Sequence, residues 1–171
     1  SISLTGGQID DLEFRKFKET QDGEKNVILL NPRKNKNGYY VETGWAISNK
    51  NINVPNSKSV WTTEGNKKLT PNTPIKLVWL NDQNIRFEKE ISIDDKYLFT
   101  VKQTIKNNTE KIYNFYPYGQ IVRNEIPEIT NFFILHEGPL GVFTTPDGNT
   151  ELIEKDYDDI QDKSFTVNAD A

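Results

Sequence analysis

The chain has no cysteine, no methionine and one histidine in 171 residues. Without cysteine there can be no disulfide staple, no thiolate-bound metal and no thiol nucleophile. The redox compartment stays open, because a chain without thiols suits a reducing or an oxidising setting. A lone imidazole leaves zinc only carboxylates as further ligands, a poor set for that metal. No metal or cofactor is therefore expected. Long apolar runs are also missing. Val27-Ile28-Leu29-Leu30 and Phe132-Phe133-Ile134-Leu135 are far shorter than the roughly 20 residues that cross a bilayer as a helix, so direct membrane insertion by this stretch is not expected. Nor is there a basic excess: 21 Lys and Arg face 25 Asp and Glu, with both signs interspersed. Nucleic acid is accordingly not an expected partner, and Arg33-Lys34-Asn35-Lys36 reads as an exposed loop among Asn and Gly.

At this length one core can hold the chain, burying roughly two-thirds of the surface that the unfolded chain exposes. The expected organisation is a single domain over 1–171. The start at Ser1, with neither a basic nor an apolar leader region, reads as a piece excised from something longer.

Period-2 alternation dominates 85–122. Ile85, Phe87, Ile91 and Ile93 oppose Arg86, Glu88, Glu90 and Ser92, and Tyr97, Phe99, Val101 and Ile105 oppose Thr100, Lys102, Thr104 and Lys106. Trp79, Phe87, Phe99 and Val101 are the expected core. Polar turns at 94–96 and 106–110 predict an antiparallel meander of three strands, the third over 111–122. In that third run Pro117, between Tyr116 and Tyr118, favours an edge or a strand end, because proline cannot donate to a ladder. Upstream, Gly6-Gly7 frees the backbone before strands over 9–17, 27–30 and 39–47. Short strands in long loops are expected over 48–68. Pro146-Asp147-Gly148-Asn149 marks a hairpin between 142–145 and 150–153, and a short helix is predicted over 155–160. No helices alternate with the strands, which points to stacked antiparallel sheets.

Few residues offer chemistry. His136-Glu137 is the one proton-transfer pair that can be proposed, yet adjacent strand residues point to opposite faces, and a His before Gly138-Pro139 more simply packs or bonds a turn. Asp10-Asp11, Asp94-Asp95 and Asp156 with Asp158-Asp159 lack the spacing of a calcium loop and read as solvated turns. Asn107-Asn108-Thr109 matches a glycosylation sequon but reads as a turn. Trp45, Trp61, Trp79 and the Tyr113–Tyr118 cluster could line a groove for sugar rings or extended peptide. The plainer role for such rings is packing between sheets.

A chain of motifs carries a resemblance. Gly6-Gly7-Gln8-Ile9-Asp10-Asp11-Leu12, Leu29-Leu30-Asn31-Pro32 and Tyr39-Tyr40-Val41-Glu42-Thr43-Gly44-Trp45 are followed by the stretches at 69–79 and 93–101. Tyr116-Pro117-Tyr118-Gly119-Gln120-Ile121-Val122-Arg123 and the stretch at 133–141 complete the series. In this order the chain resembles the large periplasmic domain of the YidC membrane protein insertases. The resemblance implies an all-β super-sandwich of two stacked, mostly antiparallel sheets, similar to galactose-mutarotase-like folds, with at most a short helix near the C-terminus. It also implies a site at the periplasmic face of a Gram-negative inner membrane, within a multi-pass parent. The implied role is a non-catalytic scaffold contacting Sec translocon accessory subunits or nascent membrane proteins. Tyr116, Tyr118, Trp45 and Trp61 are the candidate partner or peptide-cleft residues, and the isolated piece is expected to be monomeric. The rival reading is a carbohydrate- or glycan-binding domain of the aldose-epimerase-like kind. Turnover on that reading is disfavoured, because such chemistry takes a positioned His with a carboxylate base, often with a second His.

Overall fold

A computed structural model describes residues 1–127, 136–161 and 163–167. The apolar run 132–135 lies outside them. The chain divides into two compact units, Ser1–Glu125 and Ile126–Ala171.

The first unit holds ten strands: β1 (Ile2–Ser3), β2 (Gln8–Ile9), β3 (Leu12–Lys18), β4 (Asn26–Leu30), β5 (Tyr39–Ile47), β6 (Thr62–Glu64), β7 (Ile75–Leu80), β8 (Ile85–Ile93), β9 (Phe99–Asn107) and β10 (Phe115–Arg123). They form two four-stranded sheets, ordered β1-β2-β5-β10 and β6-β7-β8-β9, and a β3-β4 hairpin. Every pairing is antiparallel. The two large sheets stack face to face. Phe87 on β8 meets Trp45 on β5 at 5.2 Å and Phe115 on β10 at 5.6 Å between ring centroids. Ile9, Trp61, Leu77, Ile85 and Ile91 complete the centre. The all-β sandwich is thus the observed architecture.

Local chemistry sets the turns. The Asn81 side chain accepts the amides of Gln83 (3.0 Å) and Ile85 (2.8 Å), and Asn84 takes φ 62°. This closes β7 onto β8 as Asx turns do. Asp94 Oδ1 likewise accepts from Lys96 and Leu98 at 2.9 and 2.7 Å, closing β8 onto β9 in the predicted place.

Two expectations need correction. The three-strand meander stops after two strands: β8 pairs β9, but β10 leaves that sheet and pairs β5 over nine residues, from Phe115↔Ile47 to Arg123↔Tyr39. The polar turn at 106–110 reads as a hairpin loop, whereas the stretch 108–114 carries the chain from one sheet to the other. Of the expected core residues, Phe87 is fully buried, while Trp79, Phe99 and Val101 are only partly buried against the core. β9 is an edge strand, so Phe99 and Val101 are covered from one side less than β8 is. Tyr97 stands outside β9 in a left-handed turn, φ 68°.

In the second unit β11 (Leu140–Thr144) pairs β12 (Thr150–Glu154), followed by α1 (Tyr157–Gln161). The turn between the strands is the predicted one. Gly148 takes φ 81°, and the Asp147 carboxylate accepts from Thr145 Oγ1 and Asn149 Nδ2, bonds that hold its pKa below the usual carboxylate range.

Candidate functional site

β10 forms one outer edge of its sheet, with β5 as its single strand partner among the described residues. Pro117 is tolerated because the strand is an edge. Tyr116 (54 %) and Ile121 (70 %) stand exposed on it. Tyr118 turns inward over Gly44, its register partner. A Cβ at Gly44 would meet the Tyr118 Oη at 2.7 Å, so the glycine makes room for the ring. Tyr118 Oη donates to Glu42 Oε1 at 3.1 Å. Partial burial, and the Glu42 carboxylate after it, raise the phenol's pKa.

Glu42 is itself buried. Its second oxygen accepts from Gln8 Nε2 at 2.6 Å and from Arg33 Nη1 at 2.8 Å, and the Arg33 guanidinium lies 5.3 Å above the Tyr40 ring. One carboxylate therefore binds β2, β5, β10 and the loop after β4 together. A buried carboxylate costs little when paired and hydrogen-bonded, and much when it is not.

Lys89 is the residue that the alternation pattern skips. It falls in the inward phase of β8, between Phe87 and Ile91, and is 1 % exposed. Its Nζ crosses the sandwich and donates to the carbonyl oxygens of Thr43 (2.6 Å), Gly7 (3.2 Å) and Gly6 (3.5 Å), with the Trp61 ring centroid 4.8 Å away. Gly6 and Gly7 present those carbonyls because both adopt positive φ, 79° and 60°. A Cβ on Gly7 would lie 2.9 Å from Trp61 Nε1. Burial lowers the Lys89 pKa to about 8, against a raising influence from Glu42. Sealed from solvent, the amine ties the sheets together and reaches no solute. The sequence did carry a signal for this, because strict period-2 phase demands an inward side chain at position 89.

Trp45 and Trp61 meet each other in the core, ring centroids 6.4 Å apart, at 4 % and 1 % exposure. Trp61 Nε1 makes no hydrogen bond among the described residues, so packing and the Lys89 contact hold the ring. Of the four candidate residues, Tyr116 alone offers most of its ring to solvent. In the second unit His136 Nδ1 lies 3.2 Å from Asp156 Oδ1, a carboxylate other than its neighbour Glu137. Among the described residues no three metal-ligating side chains converge, and no helix is long and apolar enough to cross a membrane.

The model of the YidC periplasmic domain matches residues 1–171. The chain belongs to the YidC periplasmic domain family. Membrane protein insertase YidC of Pelagibacter ubique is 54 % identical over 166 residues, covering 97 % of this chain and 29 % of that protein. The Brucella melitensis protein of the same name is 41 % identical over 167 residues, and the Dinoroseobacter shibae one 40 % over 168. Each of those two matches covers 96 % of this chain and 27 % of the relative. The chain therefore spans under a third of the length of these YidC relatives. No solved structure matches it.

Proposed function

We propose that this chain is the non-catalytic periplasmic accessory domain of a YidC-type insertase of the inner membrane, and that it docks a partner along the free edge of β10. The partner is a Sec translocon accessory subunit or a segment of a nascent membrane protein. Both units belong on this reading to one domain, which the unbroken family match over 1–171 supports. The observation that carries the docking surface is the nine-residue edge strand with Tyr116 and Ile121 exposed along it. An unpaired edge offers main-chain donors and acceptors to an added strand, and side chains beside it select the partner. Tyr118, bonded to Glu42, stiffens the strand from behind. The carbohydrate reading has less support, since two of the rings offered for stacking on sugars, Trp45 and Trp61, are buried.

Photocrosslinking in the full insertase tests this. A probe at Tyr116 should capture Sec components or nascent chains, whereas a probe at Lys102 on the β9 edge should capture neither. Capture at Lys102 with none at Tyr116 would place the docking surface elsewhere.

A further inference from the structure

At one end of the first unit the two sheets part, leaving a groove of about 650 Å³, within the roughly 300–1,000 Å³ of small-ligand sites. Its floor includes Ile9, Ile75 and Leu77, and Leu12, Ile93 and Phe99 form its walls. Lys67 and Lys68 stand at its rim. Both are exposed, and the ammonium group of neither makes an ion pair or a hydrogen bond among the described residues.

We propose that this groove binds a long-chain fatty acid anion, with the acyl chain between the sheets and the carboxylate between Lys67 and Lys68. Charge complementarity selects the headgroup. Two unpaired ammonium groups beside an apolar slot favour an anion whose other end is apolar, and the separation of rim from floor fits a ligand polar at one end only. The ladders decide against a peptide. On the floor, Ile9 is paired on both sides, with Ile2 and Val41, as is Leu77, with Thr63 and Lys89, and Ile75 pairs with Ile91. A peptide backbone lowered onto that floor would surrender its bonds to water against strands already engaged, which is costly. An acyl chain has no such groups. This site is separate from the β10 edge, so it stands or falls without the docking surface.

Fluorescence titration of the 171-residue chain with cis-parinaric acid, followed by displacement with palmitate, tests the proposal. The expected result is one saturable site from which palmitate displaces the probe and hexadecanol does so less well. Replacing both rim residues (K67Q/K68Q) should weaken palmitate about tenfold and leave hexadecanol unchanged, the scale of two partly screened ion pairs. Circular dichroism should show the double variant folded as the parent is, these being surface positions. A spin-labelled stearate should broaden the Leu12 and Phe99 amide resonances before those of Tyr116. Three results would each overturn the proposal: palmitate affinity unchanged in the double variant, an acidic-flanked apolar peptide displacing parinarate where palmitate does not, or broadening confined to residues outside the groove.

Discussion

Glu88 and Lys89 are neighbours on β8, both charged and both buried, at 6 % and 1 % exposure, yet their burial is offset in opposite ways. Glu88 faces outward, where Arg86 Nε at 2.6 Å and Lys106 Nζ at 2.8 Å cover it, and Arg86 reaches on to Glu64 at 2.9 Å. Those bonds hold its pKa down to about 2. Lys89 faces the apolar centre, and main-chain dipoles of the other sheet meet its charge. Its pKa falls because carbonyls and a ring replace water incompletely. A charge met by opposite charges becomes harder to neutralise, whereas one met by dipoles in a desolvated site becomes easier. Charged residues on a strand therefore do not mark its solvent face.

The largest effect should come from Lys89→Ala, which leaves a cavity and removes the donor from three carbonyls; we expect a loss of about 3–5 kcal/mol in urea unfolding. Lys89→Met should cost distinctly less, since it fills the space and removes the buried charge. Equal losses would show that the hydrogen bonds, not the packing, dominate. Gly7→Ala attacks the same tie from the other sheet. It places a Cβ against Trp61 at a positive φ, and about 2–4 kcal/mol should be lost. A neutral Gly7→Ala would mean that the loop before β2 shifts without cost.

The two pKa displacements sharpen the comparison through pH. Glu88 has a folded pKa below its ordinary 4.5, so its contribution is full above that value and is lost as pH falls toward 2. Glu88→Gln should be destabilising at neutral pH by about 1–3 kcal/mol and should flatten the acid limb between pH 4.5 and 2. Lys89 has the opposite consequence. A base whose folded pKa is depressed disfavours the fold while charged, so its cost is present below about 8 and is relieved as pH rises toward the unfolded value. Stability should gain from this group between pH 8 and 10, below the range in which the raised Tyr118 pKa acts with the reverse sign. Parent and Lys89→Met chains with identical pH slopes over that window would break the assignment. The smallest expected change is at the sandwich margin: Phe99→Ala, on a half-covered edge strand, should cost about 1–2 kcal/mol, below the about 3–5 typical of a fully buried Phe.

Much of this was legible in the chain itself. Alternation located β8 and β9, Pro117 favoured an edge or a strand end, Gly6-Gly7 marked a point of backbone freedom, and Pro146-Asp147-Gly148-Asn149 located the last hairpin. These signals are local: a dihedral preference, a missing N–H, a two-residue period. The family too was legible, because ordered motifs survive in the sequence. The destination of β10 was not, since the polar turn at 106–110 looks the same whether it joins neighbours in one sheet or begins a crossing between two. The same limit applies to Trp45 and Trp61, whose ring chemistry suits a cleft or a core equally.

The sequence by itself determined strand phase, turn sites and family, because each rests on bonds within a few residues or on their linear order. Only the tertiary structure decided that Lys89 finds three carbonyls 46 to 83 residues away in sequence, and that Gln8, Arg33 and Tyr118 converge on Glu42. It also decided that β10 pairs β5 in the other sheet instead of continuing beside β9. Whether a buried charge is met by a dipole, by a counter-charge or by nothing depends on which strands are brought opposite it, and that choice is made by the burial of the whole apolar face at once.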